Sequence, residues 1–331
     1  MNTRLLHCIV ALLLIGCGLL RSAPAHATIT CTSASMSAVS FGTVNPLSSQ
    51  TGTTATLSYT CSNNSGSTNS ATVCFSIGEP GGGQTSPSRL MKSGNNSLQF
   101  NLYQDASYTT VWGSSFFGSD TPLIVNLTLG GRASTTQTAT LYAQVLSGQT
   151  SAVPGTYSDN YGQFDTAVIV NSTGGNTPPG VCGGSTSSQA YFPFNVTATV
   201  TKNCTVSANN LSLGSVAAGT TPSSSSSTLS IACSNTTPYN VGLSPTNGNT
   251  SGAGKMTGAA SGSSIAYQLY QNSSLTTAWG NNNVTPTSVG NGVAATGSGM
   301  TQTLTVYAKA TGSTDVTPDT YTDTVTVFVN Y

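Results

Sequence analysis

Apolar and polar residues alternate with a period of two along most of this chain. In Thr56–Cys61 (TLSYTC), Leu57, Tyr59 and Cys61 share one face. In Thr228–Cys233 (TLSIAC), Leu229, Ile231 and Cys233 do so in the same phase. Leu304, Val306 and Ala308 alternate with Thr303, Thr305 and Tyr307, and the last segment sets Val325, Val327, Val329 and Tyr331 against Thr324, Thr326, Phe328 and Asn330. Successive side chains of a strand point to opposite faces, so this is the pattern of half-buried strands. Clusters of Gly, Asn, Ser and Pro punctuate the runs, and almost no segment keeps a helical period. The pattern predicts an all-β chain of short antiparallel strands packed as sandwiches.

The pattern occurs twice. Leu102–Gly113 (LYQDASYTTVWG) returns as Leu269–Gly280 (LYQNSSLTTAWG), identical at eight of twelve positions. Cys31 and Cys61 are matched by Cys204 and Cys233, Tyr142-Ala143 by Tyr307-Ala308, and Pro154-Gly-Thr-Tyr157 by Pro318-Asp-Thr-Tyr321. So long a period is a duplicated domain rather than a solenoid unit. Residues 28–171 read as a first module and 202–331 as a second. Between them, 172–201 combine a linker with a strand. Gly174-Gly175, Pro178-Pro179 and Gly183-Gly184 give Asn171–Gln189 a linker composition. In Ala190–Thr201 the residues Phe192, Phe194, Val196, Ala198 and Val200 then alternate more strongly than anywhere else in the chain. The serine run Ser223–Ser227 reads as a loop.

Residues 1–27 have the layout of a secretory signal: Arg4, an apolar core over Ile9–Leu20, and the cleavage site Ala25-His26-Ala27. Leu14-Ile15-Gly16-Cys17 offers a competing lipobox with Cys17 as a lipidated N-terminus, but the apolar run continues past it. Nothing else approaches the roughly 20 apolar residues of a membrane-spanning helix. Cleavage after Ala27 removes both histidines and leaves six basic residues (Arg89, Lys92, Arg132, Lys202, Lys255, Lys309) against eight acidic ones, with Glu79 the one glutamate. So weak a charge provides no field for nucleic acid or an anionic membrane. Sparse charge alone would suit disorder, but the regular alternation argues for folded strands.

Six cysteines remain, an even number in an exported chain, and point to disulfides. The repeat pairs Cys31 with Cys61 and Cys204 with Cys233, each within its own module, which leaves Cys74 for Cys182. That last bond would fasten the linker to the first module. No Cys-x-x-Cys or histidine partner supports zinc, and no cofactor is implied.

Enzyme signatures are missing. A serine or cysteine nucleophile would find no histidine base in the mature chain. Asp105, Asp120, Asp159 and Asp165 are scattered, and Asp105 becomes Asn272 in the second copy; turn capping accounts for them and for Asp323 better than catalysis does. Gly81-Gly82-Gly83 lacks the helix and lysine of a phosphate loop. Trp112-Gly113 and Trp279-Gly280 read as core anchors.

The motifs Cys204, Leu213-Gly214, Cys233, Leu269-Tyr-Gln, Trp279-Gly, Gln302–Ala308 and Tyr321–Val327 resemble the spore coat protein U domain, the subunit family of archaic chaperone–usher pili. Phe41-Gly42, Cys61, Leu102-Tyr-Gln, Trp112-Gly and Tyr157 repeat the marks in the first module. The resemblance implies two tandem immunoglobulin-like sandwiches, the C-terminal one an incomplete pilin fold lacking its last strand. A periplasmic chaperone and then the adjacent pilus subunit would fill the gap by strand addition, with an outer-membrane usher as a further partner. The alternating end of the chain would then be the donor-strand acceptor, through Val325, Val327, Val329 and Tyr331, since an exposed edge calls for a pairing chain. After cleavage only Thr28, Ile29 and Thr30 precede Cys31, too little for a donor strand, which fits a subunit at the pilus tip. Phe192–Val200 is expected to complete the first module.

The first module carries the apolar loop residues Phe116, Phe117, Leu146, Val153, Tyr161 and Phe164. These suggest a contact surface for a hydrophobic abiotic or host surface, in attachment and biofilm formation. The alternatives are a shaft or adaptor subunit, or a secreted non-pilus coat or carbohydrate-binding protein stacking sugars on Tyr103, Tyr108 or Trp112.

Overall fold

The computed structural model describes residues 28–48, 50–82, 87–116, 121–182 and 188–331. The expected signal with Cys17, as well as Phe117, Asp120 and Gly83, lie outside them. Among the described residues the fold is all-β apart from one short helical turn at Pro80–Gly82.

The first module packs two sheets face to face. The larger runs, in spatial order, β1 (Ile29–Met36), β3 (Thr51–Asn63), β8 (Ser134–Val145), β6 (Asn96–Tyr103), β5 (Arg89–Ser93), β9 (Gly155–Tyr161), β11 (Phe194–Val200) and β2 (Val39–Val44). The smaller runs β10 (Thr166–Gly174), β4 (Asn69–Ile77) and β7 (Leu123–Leu129). The second module repeats this with β12 (Cys204–Ala208), β13 (Ser225–Cys233), β18 (Thr301–Ala310), β16 (Ser264–Tyr270), β15 (Ala253–Gly258) and β19 (Tyr321–Thr322) facing β17 (Val293–Thr296), β14 (Pro238–Pro245) and β20 (Val325–Asn330). Each pair of sheets encloses its own apolar core.

The repeated motifs have physical reasons. After β6, Asp105 Oδ2 accepts the Thr110 N–H at 2.7 Å; after β16, Asn272 Oδ1 accepts those of Thr276 and Thr277 at 3.1 and 3.2 Å. The side-chain oxygen is what the turn requires, so Asp and Asn interchange. Trp112 and Trp279 are buried and donate their indole N–H to Phe75 O at 2.8 Å and Val241 O at 2.9 Å. Burial closes Trp112 to sugar stacking. Tyr157 donates its hydroxyl to Val153 O (2.7 Å) and Tyr321 donates to Thr317 O (2.6 Å), the same tyrosine corner in both copies.

Two expectations need correction. The serine run does not form a loop throughout: β13 begins at Ser225, which pairs with Ala308, and Ser227 Oγ donates to Asn209 O at 2.8 Å. Small hydroxyl side chains are accommodated wherever a partner strand supplies the ladder. Asp159 caps no turn either. It lies within β9 opposite Val196, and its Oδ2 is buried without a hydrogen-bond partner among the described residues. Asp323 does cap, accepting the Thr324 N–H at 2.8 Å.

β11 follows the linker and enters the first module's sheet, antiparallel to β9 (Phe194 opposite Tyr161, Val200 opposite Gly155) and parallel to β2. Phe192, Phe194, Val196, Ala198 and Val200 are all buried. The route to this place is fixed on the outer side of the small sheet. Gly180 N–H donates to Thr72 Oγ1 at 2.8 Å, Asn171 Nδ2 donates to Val181 O at 3.0 Å, and Cys182 is bonded to Cys74 of β4. The other disulfides join Cys31 to Cys61 and Cys204 to Cys233. The Cys74–Cys182 bond closes a loop with a sequence separation of 108, for which chain entropy gives a contribution of about 4–5 kcal/mol. Cys182→Ser is therefore expected to lower the denaturant midpoint of the first module markedly, with the denaturation slope rising as the unfolded state expands. An unchanged midpoint in guanidinium unfolding would contradict this role.

Candidate functional site

The two modules differ where β11 lies. The segment Leu211–Val216 (LSLGSV) stands where the first copy has Val39–Val44 (VSFGTV), yet it forms no strand, and among the described residues no strand lies between it and β19. A groove of about 920 Å³ opens there. Leu229, Leu269, Val306 and Ala308 form its floor, Leu211, Leu213 and Val216 one wall, and Tyr321 and Thr322 the other. These floor residues keep 2–7% of their surface exposed, whereas their counterparts in the first module, Leu57, Leu102, Leu141 and Ala143, keep none. The groove is the vacancy of one strand.

The expected acceptor residues fall partly in it. Val325 and Val327 line the groove, whereas Val329 lies further along β20, which is hydrogen-bonded to β14 on the opposite sheet, and Tyr331 follows the strand's end. The unpaired edge flanking the vacancy is that of β19. Sequence reasoning missed Leu211, Leu213, Tyr321 and Thr322. The signal was present in the match of LSLGSV to VSFGTV, one copy paired and the other not.

The five expected contact residues among the described ones separate. Phe116 (39% exposed) and Phe164 (80% exposed) lie at the end of the first module that holds the start of β11. Phe164 sits in the β9–β10 turn. The Phe116 loop is anchored beside it: Ile77 N–H donates to Gly113 O at 2.9 Å and Gly78 N–H donates to Asp165 O at 2.7 Å. Tyr161 is corrected: it is 2% exposed, stacked on Phe194 at 4.6 Å, and donates its hydroxyl to Glu79 Oε2 at 2.9 Å. Its place in a strand facing β11 makes it core. Leu146 and Val153 are half-buried at the opposite end, where β11 finishes and the chain leaves for the second module. Val153 is the anchor of the tyrosine corner there. Seven strand residues at about 3.3 Å each separate the two ends by roughly 20 Å. Tyr191, on the segment leading into β11, was missed. It is 39% exposed and its ring meets that of Phe164 edge-on at 6.3 Å.

Beneath the exposed rings lies a charged cluster. Arg89 is fully buried. Its Nη2 donates to Trp112 O at 2.8 Å, Ile77 O at 3.2 Å and Gly78 O at 3.3 Å, its Nη1 donates to Asn101 Oδ1 at 2.7 Å, and its Nε lies 3.3 Å from Glu79 Oε2. One guanidinium thus ties together the roots of two loops. The second copy has Gly254 at the equivalent position, where a Cβ would stand 2.1 Å from the Tyr267 ring. Tyr267 donates its hydroxyl to Asp323 Oδ2 at 2.7 Å. In the first copy Phe100 replaces that tyrosine, which accounts for the orphaned oxygen of Asp159. Burial raises the Asp159 carboxyl above its ordinary value. Burial, with the nearby Asp159 charge, outweighs Arg89 and pushes the Glu79 carboxyl up to about 7.

A family model described as Spore Coat Protein U domain matches residues 19–162 and again 190–328. Among solved structures, the chain is similar to one from the CsuC–CsuE chaperone–tip adhesion subunit pre-assembly complex of the archaic chaperone–usher Csu pili of Acinetobacter baumannii, at 17% identity, covering 90% of this chain and 100% of that one, with a TM-score of 0.49. It is also similar to the CupB6 tip adhesin of Pseudomonas aeruginosa, at 11% identity, covering 91% and 96%, with a TM-score of 0.33. A chaperone–tip adhesin complex of CFA/I fimbriae biogenesis gives 8% identity, covering 88% and 96%, with a TM-score of 0.27. A comparison with curated proteins returned no match.

The Glu79 cluster gives a pH dependence of definite sign. The folded carboxyl holds its proton more tightly than an ordinary glutamate at 4.5. Its contribution to stability is complete below about pH 4.5 and is lost as pH rises towards 7. The thermal midpoint of the first module is expected to fall between pH 5 and 7 through this group, and Glu79→Gln to flatten that slope. Calorimetry of both proteins across this range checks it; parallel curves would contradict the assignment.

Proposed function

The chain belongs to the Spore Coat Protein U domain family, and we propose that it is the tip adhesin of an archaic chaperone–usher pilus, accepting a donor strand in the second module and touching its target with the first. One observation carries this reading. The groove that β11 fills in the first module is open in the second, so the chain completes one sandwich itself and takes one strand from outside.

The physical chemistry of the groove selects its occupant. Its floor is aliphatic and its wall at β19 presents unpaired backbone groups, the combination met by an extended segment with alternating apolar side chains. Each Val, Leu or Phe side chain buried there contributes on the order of 1.5–3 kcal/mol, and the backbone ladder fixes register. In the periplasm the occupant is a chaperone strand, replaced at the outer-membrane usher by the leading segment of the adjacent pilus subunit. The distal end of the first module, with Phe116 and Phe164 outward, makes the contact with hydrophobic abiotic or host surfaces that supports attachment and biofilm formation.

Two experiments test the two halves. A synthetic peptide spanning residues 192–201 is expected to bind the purified full chain and raise the unfolding midpoint of the second module. Leu213→Asp, on the groove wall, should weaken that binding at least ten-fold, the effect of an unpaired charge on an apolar wall. Failure of the parent chain to take up any alternating peptide or chaperone strand would overturn strand acceptance. Replacing Phe116, Phe117 and Phe164 by serine should reduce bacterial attachment to plastic with piliation unchanged, and unchanged attachment would overturn the contact assignment.

A further inference from the structure

We infer that Tyr191, delivered by the segment that completes the first module, is itself a contact residue and forms with Phe164 one aromatic patch for an uncharged apolar solid. This deepens the reading of the distal end as the attachment face and rests on it.

Three consecutive features of the segment place Tyr191. Phe192 is buried against Phe75 of β4, with ring centroids 6.1 Å apart and an edge-on geometry, and its N–H donates to Thr166 Oγ1 at 3.0 Å. Phe194 is stacked on Tyr161. One residue earlier, Ala190 bridges to Val168 of β10. Tyr191 lies between these fixed points, and strand alternation sends its side chain away from the face that buries Phe192. Its ring therefore emerges beside Phe164, at 6.3 Å and 65° between planes. The position is held by groups that are themselves buried, so the ring is presented with little conformational freedom to lose on contact.

Charge identifies the kind of surface. Among the described residues, the cation of this end, Arg89, is buried, while Asp165 is half-exposed in the turn that carries Phe164. Arg89 is directed at Glu79, Asn101 and three backbone carbonyls, and Asp165 accepts the N–H of Gly162 in its own turn at 2.7 Å. The large outward side chains are the aromatic Phe116, Phe164 and Tyr191, with uncharged Ser115 and Gln163 beside them. An apolar solid gains from covering such rings, whereas an anionic one such as silica meets only the buried Arg89.

The test measures adsorption of the purified full chain to polystyrene and to clean silica with a quartz microbalance. Tyr191→Ser is expected to weaken adsorption to polystyrene roughly five-fold, equal to about 1 kcal/mol, and to leave the small uptake on silica unchanged. Tyr191→Phe keeps the ring and should stay within about two-fold of the parent. The double variant with Phe164→Ser should lose less than the sum of the single losses, because the two rings touch. If Phe164→Ser itself has no effect, the attachment reading of this end fails. If Phe164→Ser weakens adsorption and Tyr191→Ser does not, that reading stands and the present inference is overturned. A second readout needs no variant: nitration of Tyr191 in the unaltered chain should be suppressed on adsorbed protein, and full reactivity there would overturn the contact.

Discussion

The pairing of β11 with β9 on one side and β2 on the other is the interaction from which the rest of the structure follows. A sandwich missing an internal strand has two defects at once. Backbone groups on both flanking edges lack partners, and the apolar floor between the sheets is uncovered. One strand corrects both, since its ladder satisfies the edges and its alternate side chains close the core. In the first module Phe194, Val196, Ala198 and Val200 do this from within the chain. The linker geometry serves the same end: Cys74–Cys182 and the Gly180–Thr72 hydrogen bond hold the approach, so that the loop entropy of bringing β11 to its groove is reduced before the strand pairs.

The second module shows the same architecture without that correction. Leu211–Val216 has the sequence of an edge strand but remains irregular, because its partner across the groove is absent. This makes a physical point about propensity: LSLGSV and VSFGTV agree at three of six positions and are conservative at the rest, and a neighbouring strand accompanies the one that is extended and paired. The copies diverge again at the distal end. Arg89 replaces Gly254, Phe100 replaces Tyr267, and a buried cation then organises the roots of loops that in the second copy are organised by a tyrosine–aspartate hydrogen bond. A buried guanidinium is costly unless its donors are satisfied; here four carbonyl or amide oxygens accept from its Nη atoms, while its Nε meets Glu79 as an ion pair without a hydrogen bond.

Much of this was legible in the residues. Period-two alternation gave the strands, the LYQ–WG repeat gave two equivalent modules, and the cysteine spacing gave pairings that the structure contains. Alternation cannot say which groove a strand enters. The destination of Phe192–Val200 rested on the contrast between the copies, and the structure places that strand in the first module's sheet. Loop residues were read least well. Tyr161 and Phe164 are three residues apart and read alike as apolar loop residues, yet one stacks inside on Phe194 and the other is outside on the turn. Leu146 and Val153 are apolar loop residues too, but they lie at the end opposite Phe164, because loop position depends on strand direction. Tyr191 was passed over because it precedes the strongest strand, where aromatic residues read as core.

The boundaries of the family match sharpen what β11 is. The second match starts at residue 190, so by sequence this segment belongs to the second copy, although by hydrogen bonding it belongs to the first module. A leading strand that completes the module before it is the geometry of strand addition between subunits, here carried out between two copies on one chain. The covalent connection makes the step unimolecular, with an effective concentration set by the linker rather than by the amount of protein. It also joins two properties that separate subunits would keep apart. Residues 190–200 close the first core, and through Phe194, Tyr161, Glu79 and Arg89 they reach the loops of the distal end. A first module without its strand would lack both its core closure and the support of its exposed rings. Closure of the first core and support of the exposed rings thus rest on the same strand.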